Sequence, residues 1–126
     1  MEEMWSGAPE LLGASSEELW VAVSATVSVR VLRWSPDEQL AASLSPVVFV
    51  PGWGSVFEGW RPLLTEWATR RPIVYIETRE KKSARIAHKV GRGDFEMRHH
   101  GDDVAAVLAH LGINSAEVDW FSSSLG

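Results

Sequence analysis

The sequence predicts an α/β protein: a β-hairpin, then strand–helix–strand–helix–strand, forming a mostly parallel sheet with helices on both faces. Three observations carry this. The chain opens with period-two alternation of β-branched residues. Two short apolar runs, at 46–50 and 73–76, do not alternate, which suits strands buried on both faces. Helical spacing follows each of those runs, and strand–helix alternation means parallel crossovers.

Residues 1–17 are acidic and rich in Gly, Ala, Ser and Pro, and are expected to form a flexible tail. Residues 18–126 then form one domain. In 18–34 Val21 and Val23, then Val27, Val29 and Val31, alternate with small or polar residues, and Ser24, Ala25 and Thr26 mark the hairpin turn. A loop is expected at 35–45, opened by Ser35-Pro36. The run 46–50 leads into Pro51-Gly52-Trp53-Gly54. Residues 57–71 read as a helix with Pro62 near its first turn and Leu63, Leu64 and Trp67 on one face. The run 73–76 ends in Glu77-Thr78-Arg79. Residues 79–92 hold Arg79, Lys81, Lys82, Arg85, Lys89 and Arg92, and read as a solvated basic loop. A second helix begins near Asp94. Its Val104, Val107, Leu108 and Leu111 follow helical spacing, and Gly112 stands where a C′ glycine ends it. Val118 opens the last strand.

Composition narrows the classes. At 126 residues, 45% hydrophobic and 23% charged, the chain can bury one core. A net charge of −5 argues against a nucleic-acid partner. The absence of cysteine removes disulfides, thiolate metal sites and a thiol nucleophile. Glu2 and Glu3 follow Met1 where a secretory signal would be basic and then apolar, and no apolar run is long enough to span a bilayer, so the expected location is cytoplasmic with no membrane partner. Seven tryptophans suit bulky packing and aromatic pocket walls. Adjacent His99 and His100 point apart on a helix, and no second cluster has metal spacing, so no metal is expected. Gly91-Arg92-Gly93 is too short for a phosphate loop.

The chemistry concentrates at the last strand. Beyond Val118-Asp119-Trp120-Phe121 lie three serines, Ser122, Ser123 and Ser124. A serine held on a sharp strand-to-helix turn needs small residues two before and two after it. Ser122 follows Trp120 at that spacing. Ser123 stands between Phe121 and Leu125. Only Ser124, between Ser122 and Gly126, meets the requirement. Ser122-Ser123-Ser124-Leu125-Gly126 resembles the nucleophile elbow G-x-S-x-G of the α/β-hydrolase family, with Ser122 in place of the first glycine. Pro51-Gly52-Trp53-Gly54 resembles the family's His-Gly-x oxyanion loop, with Pro51 where histidine is common.

The resemblance runs from about Leu19 to the end. It implies Ser124 as nucleophile, the backbone N–H groups of Trp53 and Leu125 as oxyanion donors, and Gly52 and Gly54 at the substrate. It departs at Glu77-Thr78-Arg79-Glu80-Lys81-Lys82-Ser83, where the family often has Asp-x-x-Gly-x-Gly-x-Ser. The family's acid and histidine follow the nucleophile in chain order. His88, His99, His100 and His110 all precede Ser124, so none inherits that role, and the resemblance covers an incomplete hydrolase.

The expected function is thus a serine hydrolase acting on an ester-like or other acyl bond of a small-molecule substrate, without a cofactor. The alternative is a non-catalytic hydrolase-like binding module. A nucleotide-binding α/β fragment is a third reading, which lacks its glycine fingerprint. The 126-residue chain alone is expected to have no hydrolase turnover and low stability as a monomer. The unpaired edge at 118–121 is an expected surface for self-association.

Overall fold

The computed structural model describes residues 8–37, 45–52 and 56–122. Six strands form one sheet: β1 (Ala14–Ala22), β2 (Val27–Pro36), β3 (Val47–Val50), β4 (Ile73–Ile76), β5 (Arg85–Ile86) and β6 (Asp119–Ser122). The helices are α1 (Phe57–Ala68) and α2 (Met97–Leu111). The sheet order is β1-β2-β4-β3-β6, with the short β5 paired to β2. The β2 strand is antiparallel to β1 and β4, while β3 is parallel to β4 on one side and to β6 on the other. The sheet is therefore parallel in its core.

Why the two apolar runs do not alternate is visible in the packing. Val47 and Phe49 of β3 and Ile73 and Tyr75 of β4 face one core, with Phe57, Leu64 and Ala68 of α1. Val48, Val50, Val74 and Ile76 face the other core, with Val107 and Leu108 of α2. Both faces of each strand are covered, so every residue must be apolar. The helices lie on opposite faces, as the sequence predicts.

The α1 side is aromatic. The register sets Phe49 beside Tyr75 and beside Phe121. Phe49 stacks on both, with ring centroids 5.4 Å and 4.8 Å apart. Trp60 and Trp67 of α1 meet Phe49 edge-on. Each such pair adds about 0.5–1.5 kcal/mol beyond area burial.

The hairpin turn needs no glycine because Ser24 does the work of one. Its Oγ accepts the N–H groups of Thr26 and Val27, and its own N–H donates to the Val27 carbonyl. Pairing begins at Ala14 rather than at 18, so the front of the hairpin takes in residues expected in the tail. Leu11 is buried there, and the buried Trp34 indole donates to the Pro9 carbonyl at 2.8 Å.

Three other bounds differ from the sequence reading. Pro62 lies within α1, past its first turn. It is exposed, so the Glu58 carbonyl left without a proline N–H can bond to water. A 3₁₀ turn at Arg92–Phe95 precedes α2, which begins at Met97 rather than near Asp94. The strand β5 arises inside the expected basic loop.

Gly112 ends α2 in the left-handed region at φ 69°. No atom lies within 4 Å of a Cβ built there, so Gly112→Ala tests backbone strain alone. It is expected to cost about 1–2 kcal/mol in urea unfolding. An unchanged midpoint would show that the turn relaxes to another conformation.

Candidate functional site

Ligands in open α/β sheets bind beyond the carboxyl ends of the parallel strands. Here those ends belong to β3, β4 and β6. Val50 closes β3 opposite Ser122, which closes β6. Neighbouring strands lie about 4.8 Å apart. The turn entered by Gly52 and the segment that carries Ser124 therefore start side by side at one sheet edge. Of the residues singled out in the sequence, Gly52 is described and buried. Trp53, Gly54, Ser124 and Leu125 lie outside the described residues.

The Gly52 carbonyl accepts a hydrogen bond from Lys81 Nζ at 2.9 Å. The loop after β4 is thereby tied to the turn after β3. Behind these turns lies a cleft of about 380 Å³ between the first turns of α2 and the ends of β3, β4 and β6. Val50, Met97, Val104 and Trp120 make its walls apolar, with Thr78, His100 and Ser122 as the polar side chains. Thr78 is 2% exposed, and its Oγ1 has no hydrogen-bond partner among the described residues. A buried hydroxyl left so costs about 1–3 kcal/mol, which a ligand group can recover.

His100 joins this cleft to the loop after β4. Its Nε2 is 3.0 Å from Glu80 Oε1 and its Nδ1 is 3.2 Å from the Glu96 carbonyl. Both partners offer oxygens. The two contacts are satisfied together only with two protons on the ring or one on Glu80.

The basic run is not a solvated loop throughout. Arg79 is 6% exposed and binds Asp103 in α2 by two parallel bonds of 2.7 Å. The Asp103 hydrogen bonds push the Arg79 guanidinium still further above its ordinary range, against the opposing effect of burial. Lys81 holds Gly52, and Arg85 lies over the Trp20 ring at 3.7 Å. Lys82, Lys89 and Arg92 remain exposed. The clue in the sequence was Asp103 itself. It falls four residues before Val107, on the face that α2 buries, where a carboxylate needs a cation.

Among the described residues, no three His, Cys, Asp or Glu side chains are grouped to hold a metal ion, and no helix is long and apolar enough to cross a membrane.

No protein-family model and no curated protein matches the sequence. Solved structures do match the fold. An epoxide hydrolase from Vigna radiata aligns with a TM-score of 0.67 at 14% identity, over 94% of this chain and 34% of that one. A laboratory-evolved variant of potato epoxide hydrolase aligns at 0.71 and 20% identity, over 89% and 33%. A membrane phospholipase A described as a bacterial virulence factor aligns at 0.66 and 14% identity, over 90% and 33%. The chain spans about a third of the length of the structures it matches.

Proposed function

Because the chain carries part of the α/β-hydrolase fold, we propose that it contributes the nucleophile and oxyanion side of a serine hydrolase acting on ester-like or other acyl bonds. Ser124 attacks the acyl carbon. The N–H groups of Trp53 and Leu125 receive the negative oxygen of the tetrahedral intermediate, and Gly52 and Gly54 let the backbone approach the substrate. The observation that carries the reading is the register of β3 against β6, Val50 opposite Ser122, which starts the Gly52 turn and the serine segment side by side. Serine at the elbow favours acyl transfer. The acid and the histidine that would activate it are assigned to the remainder of a larger hydrolase, in keeping with the third of its neighbours' length that this chain spans. The cleft beside Ser122 suits an apolar acyl group with one polar atom directed at Thr78.

A fluorophosphonate probe tests this on the whole hydrolase. The expected adduct lies on the peptide containing Ser124 and disappears in Ser124→Ala. An adduct on Ser122 or Ser123, or none on this stretch, would overturn the assignment.

A further inference from the structure

A second cluster gathers at the turn between β1 and β2. Thr26 ends the turn between β1 and β2, and its Oγ1 is 2.6 Å from His88 Nδ1. His88 Nε2 is 2.6 Å from Asp94 Oδ1. In sheet order β2 is separated from β6 by β4 and β3. That is three strand spacings, roughly 14 Å.

The hydrogen bonds set the roles. An ionised Asp94 can only accept, so His88 Nε2 carries the proton and donates it. In the neutral ring Nδ1 then presents its lone pair to the Thr26 hydroxyl, which donates. A base within hydrogen-bond reach of a hydroxyl, oriented by a third group, is the arrangement that activates a nucleophile. Asp94 is kept ionised: the Gly91 N–H at 2.6 Å, and next the His88 contact, hold its carboxyl below the usual range. Backbone contacts fix the parts. The Thr26 carbonyl accepts the Ala87 N–H at 2.7 Å, beside His88, and Asp94 sits in the 3₁₀ turn.

Access is open. Thr26 is exposed and lines a cleft of about 370 Å³ with Ser24, Arg85 and Ile86 among its walls.

We propose that Thr26, His88 and Asp94 form a second nucleophilic site, which takes the acyl group of small activated esters onto Thr26. The Thr26 oxygen bonds to the acyl carbon as its proton passes to His88 Nδ1. The bond to the leaving alkoxide or phenolate then breaks, and His88 returns the proton to that group. Water repeats the sequence on the acyl-threonine, losing one proton to Nδ1. The acid departs and Thr26 regains its hydrogen. His88 is the general base and Asp94 its positioning residue.

The test uses the 126-residue chain with Ser124→Ala, so that the elbow cannot contribute. The chain is treated with p-nitrophenyl acetate, quenched with acid and mapped by peptide mass spectrometry. The expected result is an acetyl group on Thr26, absent in Thr26→Val and kept in Thr26→Ser. His88→Gln, which preserves hydrogen bonding but not the base, is expected to slow acetylation about 10²-fold, the scale of general-base assistance. Circular dichroism reports whether each variant keeps the fold. A contact that merely ties two loops together would alter stability in His88→Gln without any adduct on Thr26. No acetyl group on Thr26 in the parent chain overturns the proposal, and so does an unchanged acetylation rate in His88→Gln. Neither result bears on Ser124, whose adduct is read in the whole hydrolase.

Discussion

On the reading proposed above, Ser124→Ala is expected to lower kcat for an acyl ester about 10⁶-fold, the scale on which a triad serine is lost. The reason is chemical and local. In the proposed step the Ser124 hydroxyl makes the covalent bond, and neither neighbour is expected to replace it. Ser122 and Ser123 are flanked by Trp120, Phe121 and Leu125 at the positions where a sharp turn admits only small groups. Ser122→Ala and Ser123→Ala should therefore leave kcat within a small factor of the parent. Steady-state hydrolysis of p-nitrophenyl acetate separates the cases, once the slower chemistry proposed for Thr26 has been subtracted with Thr26→Val. Most of the activity surviving in Ser124→Ala would place the nucleophile elsewhere.

The second large effect concerns stability. Asp103→Ala is expected to destabilise the fold by about 3–5 kcal/mol, because it leaves the Arg79 guanidinium in the interior with only its longer contacts to Asp94 among the described residues. Arg79 and Asp103 are 6% and 2% exposed and share two bonds of 2.7 Å. The cost comes from the charge left behind more than from the bond removed. Replacing both partners, Arg79→Met with Asp103→Leu, should recover most of the loss. Urea unfolding of the parent, Asp103→Ala and the double variant compares the three stabilities. A double variant no more stable than Asp103→Ala would mean that the pair contributes far beyond its own neutralisation.

The sequence was legible wherever one residue's neighbours in the chain decide its role. Val27, Val29 and Val31 alternate because β2 turns every second residue towards the α2 core, while Leu32 and Trp34 face the α1 core. The runs at 47–50 and 73–76 are unbroken because helices cover both of their faces. Gly112 marks the end of α2 because the left-handed cap suits only a residue without Cβ. The sequence was not legible where partners are distant. Arg79 meets Asp103 across 24 positions and Thr26 meets His88 across 62. Reading 79–92 by charge density alone therefore sent Arg79 to the solvent. The start of β1 was missed for a similar reason, since Ala14 to Glu17 show little apolar pattern and are held by their pairing with β2. At the candidate site, Gly52 lies two residues past the end of β3. The β3–β6 register needed the folded sheet.

The division of the interior into two cores makes the protein optically lopsided. The core under α1 contains Trp34, Trp60, Trp67, Tyr75, Phe49, Phe57 and Phe121. The core under α2 is built from Val, Ile and Leu, with the half-exposed Trp120 at the margin of its clefts. Among the described residues, Trp34, Trp60 and Trp67 report the α1 core, while Trp20 and Trp120 lie outside it. Loosening of α2 from the valine layer is expected to leave the α1-side signal nearly constant while far-ultraviolet ellipticity falls. For this chain, coincidence of the two spectral regions is a real test of cooperativity, since each side of the sheet is reported by a different kind of light.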